Sequence, residues 1–246
     1  TLQSVASQTY PHVEHLIVDG LSNDSTLTLT QEYAEDNSVC ANPHDIRFIR
    51  EPDNGLYDAM NKAIDNVSGD YLVFLNAGDK FHSPDTLEKI VADVMSINSG
   101  ASDIEELPAV LYGETDIVDN SGEFMRHRRL KAPASLSWRS FLDGMLVCHQ
   151  SFYVRADIAR QFHYNLRYRF SGDFDWCVRI MKDAVQKGLP LYNTRQILTD
   201  YLAEGMTTKN HRKSLFERLR IMCRHYGCMA AIRQHLWFVV RAMVKR

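Results

Sequence analysis

Residues Glu51–Asp79 read EPDNGLYDAMNKAIDNVSGDYLVFLNAGD, and their reading decides the fold. Pro52, Asn54 and Gly55 punctuate a loop. Leu56, Met60, Ile64 and Val67 then recur at helical spacing, which predicts a helix over 56–67. Ser68 and Gly69 break it. Tyr71–Leu75 follows as a short apolar run of the kind buried on both faces of a sheet. That strand empties into Asn76-Ala77-Gly78-Asp79. In open α/β sheets ligands gather outside the carboxyl ends of strands, so Asp79 stands where a carboxylate can work.

The same alternation extends in both directions. Upstream, Leu2, Val5 and Ala6 are spaced like a helix, which Thr9-Tyr10-Pro11 ends. Val13–Asp19 (VEHLIVD) is predicted as a buried strand, followed by a turn rich in N-cap residues and a helix to about Asp36. Asp19 therefore closes a strand, with a helix start just beyond it. Asp45–Arg50 is a third short strand. An α/β sheet normally opens on a strand, so the reading expects a strand of the fold to be missing ahead of Thr1.

Downstream, Ser83-Pro84-Asp85 is predicted to start a helix running through Met95, with Ser at the N-cap and Pro at the first helical position. Residues 98–108 are polar and acidic and are expected to form a surface loop, most of which lies outside the residues described below. Ala109–Val118 and Glu123–Leu130 read as a hairpin around Asp119–Gly122, a departure from strand–helix alternation that predicts a mixed sheet. Met145–Arg155 is predicted as a strand with His149 in its middle, Gly172–Lys187 as a helix, and Pro190–Leu202 as a last strand. This places a nucleotide-binding half at about 1–98 and an acceptor half at about 109–208, in one domain over 1–208. A tail over 209–246 is predicted to hold two helices, at about His211–Tyr226 and Met229–Val244, broken at Gly227.

Composition limits the function classes. The chain has 246 residues, 45% hydrophobic and 24% charged, as for a soluble globular domain. No run approaches the roughly 20 apolar residues that a membrane span requires. Five scattered cysteines without a CxxC pair suit a reducing cytosol and argue against structural zinc. The net charge of −3 hides an asymmetry: residues 209–246 hold ten Lys/Arg and one acid, Glu217, while residues 1–208 hold 18 basic and 30 acidic side chains. An acidic body argues against nucleic-acid binding, and a basic tail suits an anionic surface.

Taken singly, the candidate residues stay ambiguous. Asp79 suits a hard divalent cation, Mg²⁺ or Mn²⁺, carrying a diphosphate, or equally a Gly-Asp turn. Asp19 suits a base or ribose contact, or an acidic turn residue at a helix start. Asp58 and Lys62 are an i,i+4 pair that also reads as a solvated ion pair. Asp173 and Asp175 open a helix, where capping competes with a general-base role. A histidine in an apolar strand, as at His149, is more often a hydrogen-bonded core residue than a catalyst.

Taken in order, SQTYPHVEHLIVDGLSNDST, EPDNGLYDAMNKAI, GDYLVFLNAGD, HQSFYVR and SGDFDW resemble family 2 glycosyltransferases of the GT-A fold. The second and third resemble the bacterial exopolysaccharide and colanic-acid-type branch. The likeness runs from Thr1 to about Asn210. It implies a three-layer α/β/α domain with a mixed central sheet, lacking the family's first strand, plus a helical tail. It implies a nucleotide-sugar site at Asp19, Asn54, Asp58, Lys62, Asn76 and Gly78, and a metal ligand, Asp79, on the family's DxD-type motif. Asp173 falls on the family's catalytic base, and His149, Gln150 and Asp175 fall on the acceptor side. Two departures stand out: Asn76 and Gly78 occupy positions where many members carry acids, and Asp19 is followed by Gly20 rather than a second acid.

The implied activity is inverting transfer of a sugar from a UDP- or GDP-linked donor, with Mg²⁺ or Mn²⁺, to a saccharide acceptor. A lipid-linked acceptor is expected, in synthesis of a bacterial cell-surface polysaccharide. The expected location is cytoplasmic, with the tail either held on the inner face of the membrane or packed on the domain or a homodimer partner. Two alternatives remain: an inactive sugar-nucleotide-binding or assembly subunit, and a nucleotidyltransferase, although no Gly-rich, Lys-bearing triphosphate loop is present.

Overall fold

Side chains that alternate along two central strands divide the core in two. In the computed structural model, which describes residues 1–97, 107–203 and 211–244, β5 (Val110–Val118) and β7 (Phe152–Arg155) run antiparallel. Val110, Tyr112, Phe152 and Val154 point to one face, and Leu111 and Tyr153 to the other. On the first face pack α3 (Leu56–Asn66) and α6 (Gly172–Gln186); on the second pack α1 (Leu2–Ala6) and α4 (Thr86–Ile97). Period-two alternation in a sheet covered on both sides gives the α/β/α layering.

The main sheet runs β3 (Tyr71–Leu72), β7, β5, β8 (Leu191–Leu202), β4 (Lys80–Phe81), with β6 (Phe124–His127) hairpinned onto β5. Among the described residues only the β5–β8 pairing in it is parallel, so the sheet is mixed, as the hairpin predicts. A separate parallel pair, β1 (Glu14–Asp19) with β2 (Asp45–Arg50), carries α2 (Thr26–Ser38) between its strands. The short helix α5 (Ala156–Ala159) follows β7. α7 (His211–Tyr226) and α8 (Cys228–Val244) close the chain.

The helix α6 buries nine of its 15 residues. Phe174, Trp176, Cys177, Val178, Ile180, Met181 and Ala184 are all fully buried. Each large side chain contributes about 1.5–3 kcal/mol when buried, so the N-terminus of this helix is a rigid place to mount a functional group. A stack of Tyr57 on Tyr164 (5.2 Å) and Tyr164 on Trp176 (4.8 Å) joins α3 to α6. Asn61 adds two hydrogen bonds to the Tyr164 backbone.

Three local expectations need correction. The run Tyr71–Leu75 pairs with β7 only through Tyr71 and Leu72, opposite Arg155 and Val154. The segment from Met145 to Arg155 is not one strand: His149–Ser151 form a single 3-10 turn, closed by the Ser151 amide on the Cys148 carbonyl, and pairing begins at Phe152. α4 begins at Thr86, after a turn in which Ser83 and Thr86 exchange hydrogen bonds.

Between β1 and Tyr71–Leu75 lies an apolar cavity of about 330 Å³, lined by residues including Leu16, Val67, Tyr71, Val73, Leu75 and Leu111. Among the described residues no strand joins β1 to β3. β1 is accordingly half-buried along most of its length although its sequence reads as a core strand. Glu14 closes one end of the gap by accepting the Ser68 amide at 2.7 Å and the Gly69 amide at 3.1 Å.

Candidate active site

Asp79 ends the segment that continues from β3. Its amide donates to the Asn76 carbonyl at 3.0 Å, closing a turn in which Gly78 takes φ +97°. A side chain at Gly78 would sit 2.5 Å from Leu202 Cδ2, so the turn needs glycine for both conformation and space. The Asp79 carboxylate is 2% exposed and receives Gln150 Nε2 at 2.7 Å and the Leu202 amide at 3.1 Å. Burial pushes this carboxyl up, against the pull of Gln150, Leu202 and His149. A buried carboxylate with lone pairs beyond its two hydrogen bonds has the chemistry that suits a hard divalent cation.

The 3-10 turn aims consecutive side chains at two different carboxylates. Gln150 meets Asp79, and His149 Nδ1 lies 3.3 Å from Asp173 Oδ2. On its other side His149 Nε2 meets the Asn76 side-chain amide at 3.4 Å. Donation from Asn76 to Nε2 leaves the imidazole proton on Nδ1, facing Asp173. A strand would have sent residues 149 and 150 to opposite faces of the sheet; the turn keeps both on the site.

Asp173 stands in the first turn of α6, its side chain 15% exposed. Tyr57 donates its hydroxyl to Oδ1 at 3.2 Å. Burial works to raise the Asp173 carboxyl, but the hydrogen bond and charge of His149 and the charge of Arg218 outweigh it and hold it below the ordinary carboxylate range. Asp173 is therefore ionised at neutral pH. Gly172 permits the Tyr57 contact, since a Cβ there would lie 2.7 Å from the Tyr57 ring.

The other expected residues occupy distinct settings. Asp19 closes β1, accepts the Ser22 amide at 3.0 Å and pairs with Arg50 Nε at 3.2 Å. Burial raises this carboxyl, and Ser22 and Arg50 bring it below the usual value. Asp58 accepts the Asn54 amide at 2.8 Å and the Asn54 side-chain amide at 3.2 Å, bracing the start of α3. Lys62 pairs with Glu51 at 3.0 Å and also donates to the Pro52 carbonyl. The Asp58–Lys62 ion pair that the spacing suggests is thus replaced by two separate braces on the 51–55 loop. Asp175 is 1% exposed, with its two oxygens engaged by Arg179 Nε and His225 Nε2, each at 2.7 Å.

The structure therefore gathers Asn76, Gly78, Asp79, His149, Gln150 and Asp173 into one network, joined by Tyr57, which the sequence reading left without a role. Among the described residues the group spaced to share a metal ion is another one: His82, Asp116 and Asp200, their ligand atoms within 4.8 Å. Asp116 and Asp200 are register partners on β5 and β8. His127 Nδ1 reaches Asp116 at 2.7 Å, and Lys80 Nζ lies 3.6 Å from Asp200, already supplying positive charge there.

Comparison with known proteins places the chain in a family. The family described as Glycosyl transferase family 2 matches residues 1–152. A PGL/p-HBAD biosynthesis glycosyltransferase of Mycobacterium bovis is 31% identical over 179 residues, which is 72% of this chain and 62% of the relative. The chain thus spans about three fifths of that relative's length. A Mycobacterium tuberculosis glycosyltransferase without assigned activity is 32% identical over 225 residues, 90% of this chain and 76% of its own. Among solved structures, Staphylococcus aureus TarS 1–349 in complex with UDP-GlcNAc matches with a TM-score of 0.63 at 13% identity, covering 96% of this chain and 68% of that one. The mannosyltransferase PcManGT of Pyrobaculum calidifontis, in complex with GDP-Man and Mn²⁺, matches with a TM-score of 0.55 at 16% identity, covering 94% and 59%. These likenesses establish a GT-A fold.

Proposed function

The chain belongs to glycosyl transferase family 2, and from that premise we propose that it moves a sugar from a UDP- or GDP-linked donor to a saccharide hydroxyl with inversion at the anomeric carbon. One observation carries the reading: adjacent side chains, His149 and Gln150, hold two carboxylates of different character on one turn. Asp173 is held ionised, and Asp79 is buried with its carboxyl pushed up. Inverting transfer asks for such a pair, one carboxylate to take a proton and one to serve the diphosphate.

In this reading the acceptor hydroxyl attacks the anomeric carbon from the face opposite the diphosphate. The carbon–oxygen bond to the diphosphate breaks, and the diphosphate leaves with the electron pair. Asp173 accepts the hydroxyl proton. His149 and Tyr57 fix the direction of its lone pairs, and the hydrogen bond from His149 with the charge of Arg218 keeps it free of a proton beforehand. Asp79 would hold Mg²⁺ or Mn²⁺, which supplies neutralising charge for the diphosphate when bound. Asp19, Asn54, Asp58, Lys62, Asn76 and Gly78 are assigned to the donor side. Gln150 and His149 are assigned to the acceptor side, as is Asp175, which acts there through the α6–α7 packing.

The acceptor is proposed to be lipid-linked, at the inner face of a bacterial membrane, in polysaccharide synthesis. Met229, Ile232, Leu236, Trp237 and Val240 support this, since all are exposed on α8. No described helix is long and apolar enough to cross a membrane, so the contact would be interfacial.

The test is calorimetric titration of UDP and GDP, with and without Mn²⁺, into the protein, Asp79→Ala and Asp173→Asn. Metal-dependent binding of one nucleotide, lost in Asp79→Ala and kept in Asp173→Asn, is the expected result. Equal binding by all three proteins would remove Asp79 from the donor site.

A further inference from the structure

We propose that Glu217, on the tail helix α7, is a positioning residue for Asp173, so that the tail is a working part of the active site as well as an attachment. Glu217 Oε2 accepts the Arg169 amide at 2.8 Å, and Oε1 accepts the amides of Phe170 at 2.8 Å and Ser171 at 2.7 Å. Three consecutive backbone donors thus converge on one carboxylate 46 or more residues away in sequence. They immediately precede α6, whose second residue is Asp173.

The ordinary device for this task is absent. Ser171 is the N-cap residue of α6, yet its side chain makes no capping bond, because its hydroxyl turns to the Ser214 carbonyl at 3.3 Å and the Ser214 hydroxyl at 3.1 Å. α7 therefore supplies both the partner of the N-cap hydroxyl and the acceptor for the amides leading into the helix. A carboxylate is also the favourable charge at a helix N-terminus. Composition sharpens the point: Glu217 is the one acid among residues 209–246, which hold ten Lys/Arg. The single negative charge of a basic tail is spent on this loop.

The consequence for Asp173 is geometric. Its contacts to Tyr57 (3.2 Å) and His149 (3.3 Å) are near the long end of the hydrogen-bond range, so a small rotation of the first turn of α6 forfeits both. Tyr57 itself is wedged against Gly172, which leaves the turn little room to settle elsewhere. The activity arm of the proposal rests on Asp173 as the proton acceptor; the positioning arm does not.

The experiment reads the ring nitrogens of His149 by ¹⁵N NMR in the full chain, with the signals assigned through His149→Gln. Asp173→Asn is expected to move the Nδ1 resonance, and Glu217→Ala to move it in the same direction by at least half as much. Glu217→Gln, whose carbonyl can still accept, is expected to restore most of the signal. Gln234→Ala, which removes a tail bond to Asp143 elsewhere, is the control and should leave it unmoved. An unmoved signal in Glu217→Ala, or an equal shift in the Gln234→Ala control, would overturn the proposal by reducing Glu217 to a tail-docking residue. If Glu217→Ala does not fold, Glu217→Gln and Glu217→Asp decide it: displacement that grows as acceptor geometry worsens supports positioning, and none overturns it. Titration of UDP and GDP with Mn²⁺ into the same variants separates the two readings. Loss of nucleotide binding in the unmodified protein would count against the transferase reading and leave the NMR result standing.

Discussion

Gln150 donates to Asp79 at 2.7 Å from the residue next to the one that faces Asp173, so a single turn sets the spacing of the two carboxylates. Replacing Gln150 with Ala removes the donor and leaves Asp79 buried on one hydrogen bond from Leu202. The unfolding free energy is expected to fall by about 1–3 kcal/mol, the cost of stranding a buried polar group. Mn²⁺-dependent affinity for UDP or GDP is expected to fall about 10–100-fold, as for other partners that orient a ligand carboxylate. Calorimetry beside denaturant unfolding checks both. A stability loss with unchanged metal-dependent affinity would mean that the Asp79 orientation does not matter to the nucleotide.

Gly172→Ala tests the aromatic side of the same site. The added Cβ would lie 2.7–3.0 Å from three Tyr57 ring atoms, and Tyr57 cannot retreat easily because it stacks on Tyr164. Overpacking of this kind costs about 1–3 kcal/mol. The folded protein is expected to bind nucleotide normally and to lose sugar transfer by about tenfold or more, the scale set by misplacing a catalytic group. Pairing it with Tyr57→Leu should recover stability without recovering transfer, since the hydroxyl to Asp173 is gone.

Acid stability follows from Asp175. Burial raises its carboxyl, but His225 and Arg179 more than reverse this and leave it below the ordinary carboxylate value. A carboxyl whose folded value is depressed stabilises the protein above its unfolded value and loses that contribution as pH falls through the folded one. Asp175→Asn is therefore expected to be less stable than the parent at pH 7, by up to about 3 kcal/mol for a broken buried pair. The gap should close below about pH 4. Urea unfolding at a series of pH values measures it; a gap that stays constant down to pH 3 would remove the ion pairs as its cause.

How much of this is legible in the sequence differs residue by residue. Asp19, Asp79 and Asp173 were readable because each sits where an apolar periodicity stops, and strand ends and helix starts are local signals. His149 reads as a strand residue because MLVCHQSFYVR is apolar enough to suit either a strand or a turn packed inside the core. Its turn is fixed by where Asp79 and Asp173 lie, 70 residues before it and 24 after it. Lys62 was readable as a helix-face cation, but its choice of Glu51 over Asp58 depends on how the 51–55 loop folds back. The three bonds of Glu217 to residues 169–171 are invisible to any local rule. What the sequence offered was only its isolation as the one acid of a basic segment.

The outer face of α8 makes a last prediction. Ile232, Leu236 and Val240 recur every fourth residue and are 48%, 63% and 47% exposed, with Trp237 beside them at 55%. The opposite side of the tail is anchored: Ile221, Met222 and Ala231 are fully buried, and Tyr226 stacks on Trp138 at 5.5 Å. The apolar stripe therefore projects from a docked helix, as an interfacial anchor would. Wild-type protein is expected to co-sediment with vesicles containing anionic lipid, more at 0.05 M than at 0.5 M salt, because screening weakens the basic contribution of the tail. The double change Leu236→Ser with Trp237→Ser should abolish co-sedimentation while shifting stability by no more than about 0.5 kcal/mol, the usual range for exposed positions. Absence of vesicle binding even at low salt would end the anchor reading. If the protein then also elutes as a dimer that the double change converts to monomer, the stripe is the face between two copies of this chain.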